Sequence, residues 1–132
     1  MIIADTSIWV EFFKRIEPIF SSLVTLLENR NIIGLSCIFG ELLQGARNKR
    51  ERQTIQSYWE NLPRTDESSI FIEAGIYSSE QKLLSKSIGL IDAVILVAAG
   101  KANSQVWTLD KKLLNVLARE DQFHLANGVS GA

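Results

Sequence analysis

The stretch Met1-Ile2-Ile3-Ala4-Asp5-Thr6-Ser7-Ile8-Trp9-Val10-Glu11-Phe12-Phe13 decides the fold, because its periodicity changes partway along. Met1 to Ala4 is an unbroken apolar run, Asp5-Thr6-Ser7 is a cluster of turn and cap formers, and Ile8, Trp9, Phe12 and Phe13 recur at helical spacing. The reading is strand, turn, helix, with Trp9, Phe12 and Phe13 as a core-facing stripe.

The alternation continues outward from there. Pro18 suits the first turn of a helix carrying Ile19, Phe20, Leu23, Val24 and Leu27, which Asn29-Arg30-Asn31 stops. Ile32 to Leu35 reads as a strand, and Ser36 as the cap of a helix bearing Phe39, Glu41, Leu42, Leu43 and Ala46. Lys49 to Leu62 is helical, with Ile55, Tyr58, Trp59 and Leu62 on one face, and Pro63 closes it. If that helix projects, its apolar face needs a partner. A short extended piece near Arg64-Thr65 precedes a helix from about Ser69 to Ser87. Gly89 ends that helix, and another runs from Ile91 to about Ala102. Gln105 to Leu109 is a strand, Lys111 to Arg119 a helix, and Phe123 to Leu125 a weak last strand. Strands alternating with helices require crossover connections and parallel pairing. The expected fold is α/β, a three-layer α/β/α sandwich around a mainly parallel sheet of about four or five strands.

Composition bounds the function. The 132 residues carry a net charge of -1 and are 46% apolar against 22% charged. That suits one soluble domain, read as residues 1–125, with 126–132 as a flexible tail. The single cysteine, Cys37, forms no internal disulfide and reads as a small buried apolar residue. The opening lacks the positive region of a secretory signal, and the longest apolar run, Ile91 to Ala99, is too short to span a bilayer and contains Asp92. A cytoplasmic protein without membrane attachment is expected. Near-zero charge excludes a domain that holds nucleic acid by bulk positive charge, so any such role must sit in a local site.

The acids supply that site. In a parallel α/β sheet, ligands gather where strands hand over to loops at the carboxyl edge. Asp5 follows the first strand and Asp110 follows Val106-Trp107-Thr108-Leu109, so both emerge at that edge. Glu41 lies early in the helix after the second strand, and Asp92 lies in the first turn of the helix that feeds the Thr108 strand. Each has a local alternative: Asp5 and Asp110 as helix caps, Asp92 as a charge favoured by the helix dipole, Glu41 as a solvated helix residue. Asp92, however, sits inside Leu90-Ile91-Asp92-Ala93-Val94-Ile95-Leu96, where a charge is costly unless it faces a polar cleft. Four converging carboxylates repel one another, and a divalent cation relieves that conflict. Oxygen-only donors suit Mg²⁺ or Mn²⁺, while one histidine, His124, and one cysteine do not make a zinc site. Such a site performs phosphodiester hydrolysis.

At these residues the sequence resembles the PIN-domain family, and within it the short VapC-type toxin ribonucleases of prokaryotic toxin-antitoxin pairs. The resemblance runs through Ile2-Ile3-Ala4-Asp5-Thr6-Ser7, Gly40-Glu41-Leu42-Leu43-Gln44-Gly45-Ala46, Gly89-Leu90-Ile91-Asp92-Ala93-Val94-Ile95 and Trp107-Thr108-Leu109-Asp110-Lys111-Lys112. It covers almost the whole chain. It implies a Mg²⁺- or Mn²⁺-dependent endoribonuclease whose metal is held by Asp5, Glu41, Asp92 and Asp110, with Thr6 and Thr108 orienting the acids. It also implies an inhibitory antitoxin protein and a homodimer. Many relatives carry an aromatic residue shortly after the last aspartate, where this chain has Leu113 and Leu114.

The basic segment Arg47-Asn48-Lys49-Arg50-Glu51-Arg52 can guide an RNA backbone toward the acids, meet an acidic antitoxin residue, or be a solvated helix face. Arg47, Lys49, Arg50 and Arg52 are the candidates there. Lys86 and the Lys111-Lys112 pair are further ones, and His124 reads as structural. Two rival functions remain at this level. One is a phosphohydrolase using Asp5 as nucleophile, although Ser7 stands where haloacid-dehalogenase-like enzymes place a second aspartate. The other is a PIN-like module that binds without cleaving.

Overall fold

The computed structural model describes residues 1–125, and the tail assigned to residues 126–132 lies outside the described residues. Two strands, β1 (Ile2–Ala4) and β2 (Gln105–Trp107), pair in parallel with Ala4 opposite Trp107. Seven helices are described: α1 (Thr6–Phe13), α2 (Ile19–Glu28), α3 (Ser36–Gln44), α4 (Lys49–Asn61), α5 (Ile70–Gln81), α6 (Leu90–Lys101) and α7 (Lys111–Val116). The expected α/β fold with a parallel sheet is present. None of the described helices is long and apolar enough to cross a membrane.

The sheet is wider than its two strands. Ile32 bridges Ile2, Gly34 bridges Arg64 and Gln122 bridges Val106, each in parallel, so five extended segments lie side by side. The expected strands at Ile32–Leu35 and Phe123–Leu125 are therefore realised as single bridges. In the first, Ile33 N–H donates to Ile2 O at 2.9 Å and Gly34 N–H donates to Pro63 O at 2.8 Å, one bond to each side before α3 begins. A Cβ on Gly34 would stand 3.1 Å from Leu62 Cδ1 and 3.3 Å from the Trp59 ring, so this segment packs closely because residue 34 has no side chain.

Burial follows the sequence stripes. Ile3, Ile8, Trp9, Val106 and Trp107 are buried together with Ala93, Val94 and Ile95 of α6, which packs on both strands. The Trp9 ring meets Phe12 edge-on at 5.5 Å, Phe39 at 5.1 Å and Tyr58 at 5.7 Å, tying α1 to α3 and α4. Trp59 in turn packs on Phe39 and beneath the Arg64 guanidinium. Tyr58 and Trp59 thus pack within the chain, against Trp9, Phe39 and Arg64.

Three local expectations are corrected. Ser36 does not cap α3 through its own side chain; it is the first helical residue, and its N–H and hydroxyl both donate to the Glu67 carboxylate, at 3.0 and 2.7 Å. The helix expected to reach Ser87 stops at Gln81, because Lys82 turns left-handed at φ 55° and a 3-10 turn, Leu83–Lys86, follows. That break lets both Leu83 and Ile88 point into the core. The helix after Asp110 likewise stops at Val116, and Arg119–Asp121 is a separate 3-10 turn.

Candidate active site

The site is built on the ends of β1 and β2. Asp5 N–H donates to Trp107 O at 3.0 Å, which continues the ladder one residue beyond β1 and fixes where the Asp5 side chain starts. Asp5 is buried, and its carboxylate accepts three hydrogen bonds: Ser7 Oγ at 2.5 Å and Ile8 N–H at 3.3 Å on Oδ1, and Thr108 Oγ1 on Oδ2. Thr108 Oγ1 accepts from Asp110 N–H at 2.9 Å, and Ser7 Oγ accepts from Leu109 N–H at 3.0 Å. Both hydroxyls bridge β1 to β2.

Asp5 and Asp110 also cap helices. Asp5 takes the N–H of Ile8 in α1, and Asp110 Oδ1 takes the N–H of Lys112 in α7 at 2.9 Å. The cap and the site readings are therefore compatible, because a carboxylate has about four lone-pair positions and a cap bond uses one. Glu41 is exposed on α3, and its Oε1 accepts from Thr6 Oγ1 at 2.7 Å. Asp92 is half-buried in the first turn of α6.

Electrostatics link all four acids. Burial, then the charges of Asp110, Asp5 and Glu41, push the Asp92 carboxyl above its ordinary value, with Lys112 opposing them. Burial also pushes Asp5 up, and its bonds from Ser7 and Thr108 offset only part of that. Among the described residues, no three acidic, histidine or cysteine side chains close into a metal-ligand group. Asp110, Asp5 and Glu41 therefore act on Asp92 as like charges through space and not as one closed ligand cluster.

The sequence candidates divide clearly. Thr6 contacts Glu41 and Thr108 contacts Asp5. Arg47 and Arg50 line a groove of about 620 Å³ together with Thr6, Lys14 and Glu41. Arg47 is engaged there by Glu51, with Nη2 at 2.9 Å from Oε2, whereas Lys49 and Arg52 are exposed and do not line the groove. Lys86 lines a different cleft with Lys112. His124 is exposed, and Cys37 is buried with its thiol pushed up to about 12, chiefly by desolvation, so it is no thiolate donor.

Ser7 was not singled out among the candidates, yet it touches Asp5 and, through Leu109 N–H, the connection from β2 to α7 that carries Asp110. Its signal is local: a serine two residues after an aspartate at a strand end is placed to close a side-chain turn onto it.

The sequence model of the PIN domain family matches residues 2–119. Comparison with curated proteins gives no match.

Proposed function

The chain belongs to the PIN domain family, whose members are generally nucleases, and from that premise we propose that it is a Mg²⁺- or Mn²⁺-dependent endoribonuclease, the toxin of a VapC-type toxin-antitoxin pair. The observation that carries this reading is that Asp110, Asp5 and Glu41, from three other segments, all act as like charges on the half-buried Asp92.

The donor set fits a hard divalent cation. All four side chains offer oxygen alone, and Asp5 keeps a free lone pair on Oδ2 beyond its three hydrogen bonds. Asp92, half-buried among like charges, gains most from a positive ion nearby. Asp5, Glu41, Asp92 and Asp110 are the residues that would hold the metal. When bound, the ion neutralises these carboxylates, lowers the pKa of a bound water and offsets charge on the scissile phosphate.

The remaining residues hold the acids in place. Thr108 holds the Asp5 carboxylate from beyond the end of β2 and Ser7 holds it from the start of α1, Thr108 also takes the Asp110 N–H, and Thr6 holds Glu41. This rigidity keeps the charged groups from relaxing away from one another, the preorganisation that electrostatic catalysis requires. Asp5 is poorly suited to the rival role of phosphoryl acceptor, because three of its lone pairs are occupied and it is buried. A cognate antitoxin, a homodimer and a cytoplasmic location belong to the same proposal, on the strength of the family resemblance.

Calorimetric titration with Mn²⁺, paired with digestion of total RNA in Mg²⁺, in Mn²⁺ or in chelator, tests the reading. Binding that weakens in Asp92→Asn, together with cleavage that chelator abolishes, supports it. Cleavage that persists in chelator refutes it.

A further inference from the structure

We propose that the cleft between α5, the Leu83–Lys86 turn and α7 is an anion subsite that seats a phosphate of the RNA strand beside the one being cut; this rests on the ribonuclease reading above. The cleft encloses about 410 Å³ and is lined by Tyr77, Gln81, Lys86, Lys112 and Asn115 with two aliphatic side chains.

The lining itself carries positive charge alone, although the Lys112 charge also reaches Asp92. No carboxylate lines it, and neither lysine takes part in an ion pair among the described residues, where the pairs are Arg47–Glu51 and Lys101–Glu73. The larger groove on the Glu41 side differs, since Glu41 and Glu51 line it alongside its cations and Glu51 already holds Arg47. A polyanion approaching four carboxylates is repelled by them, so its binding must come from positive potential on the flank. The lysine cleft is a flank whose lining offers positive potential with no carboxylate in it.

The two lysines stand on fixed supports, and Lys112 adjoins the acids. Lys112 N–H is bonded to Asp110 Oδ1 at 2.9 Å. Lys86 lies in the 3-10 turn between two left-handed residues, Lys82 at φ 55° and Ser87 at φ 62°, and buried Leu83 and Ile88 anchor the turn. Gln81 and Asn115 add amide donors for phosphate or ribose oxygens, and the partly exposed Tyr77 ring offers a face for a base. Point charges, amide donors and one aromatic ring suit a single-stranded nucleic acid better than an acidic peptide.

The test is fluorescence anisotropy of a short fluorescein-labelled single-stranded RNA, titrated in chelator over a range of salt. Each phosphate contact contributes about 0.7 to the slope of log affinity against log salt. The double variant Lys86→Gln/Lys112→Gln is expected to lose about 1.4 of that slope and to bind roughly tenfold more weakly at low salt. Arg30→Gln/Arg119→Gln removes the same charge elsewhere and keeps the wild-type slope, and Lys86→Arg keeps it too. An unchanged slope in the lysine variant, an equal loss in the arginine control, or no RNA binding by wild type overturns the subsite. Digestion of total RNA in Mg²⁺ by the same preparations separates the two claims. Metal-dependent cleavage with an unaltered slope leaves the nuclease standing without the subsite, and a lowered slope without cleavage leaves the subsite without the nuclease.

Discussion

Thr108 and Asp5, 103 residues apart in the chain, share a buried hydrogen bond in which the Thr108 hydroxyl donates to Asp5 Oδ2. The same hydroxyl accepts the Asp110 N–H at 2.9 Å, so one oxygen sets the relation between two of the four acids. Thr108→Val keeps the shape, strips Asp5 of a donor and leaves the Asp110 N–H without its acceptor. The expected cost is about 1–3 kcal/mol of stability, read by urea denaturation. Activity should fall roughly 10–100-fold, as for other residues that orient ligands. Thr108→Ser should recover most of both.

Asp92 gives a pH signature. Its folded-state pKa is raised by burial and by three like charges, so the unfolded chain ionises first as pH rises. The metal-free protein therefore has this stability in full below the ordinary carboxylate value of 3.8 and loses it as pH climbs through the raised one. Asp92→Asn removes that loss. Thermal melts in chelator should show the variant more stable than wild type at neutral pH, with the gap closing toward acid pH. Mg²⁺ should stabilise wild type more than the variant.

Glu41 separates function from folding. It is exposed and, among the described residues, its carboxylate is bonded only to Thr6 Oγ1, so Glu41→Gln should change stability by no more than about 0.5 kcal/mol. Cleavage by Glu41→Gln should nevertheless drop by about 100-fold or more, as expected for loss of a metal ligand rather than of a group that merely orients one. Thr6→Val, which frees the Glu41 carboxylate to swing, should fall between the two. Denaturation and digestion of the same preparations check all three.

The arginines of α4 and of the turn before it are not equivalent. Arg50 lines the groove that contains Glu41 and Thr6, whereas Arg52 is exposed outside it. Arg50→Gln should weaken RNA binding and flatten its salt dependence by about 0.7, and Arg52→Gln should leave both unchanged. Arg47→Gln should show a smaller effect than Arg50→Gln, since Glu51 already holds the Arg47 guanidinium.

Much of this was legible in the sequence because parallel α/β architecture converts linear position into spatial position. An acid shortly after a strand must emerge at the carboxyl edge: Asp5 directly follows β1, and Asp110 stands three residues past β2. Buried stripes were equally readable, since Trp9 and Phe12 recur at helical spacing and Trp107 sits in an apolar strand. What was hidden depends on contacts between distant segments. Nothing local marks Glu67 as the acceptor for the Ser36 N–H, 31 residues away, nor Glu51 as the group that engages Arg47 at the groove. The left-handed Lys82 is likewise invisible to periodicity, because it is the burial of Leu83 and Ile88 that calls for the break. Ile32 and Gly34 form single bridges where a strand was expected because α3 begins at Ser36, before a ladder can extend.

The most direct test of the central claim is cleavage of end-labelled cellular RNA by wild type and by Asp92→Asn, purified identically, in Mg²⁺, in Mn²⁺ and in chelator. The account predicts discrete cuts by wild type with either metal, and none in chelator or from the variant. Equal cleavage by the two proteins, or cleavage by wild type in chelator, would contradict it.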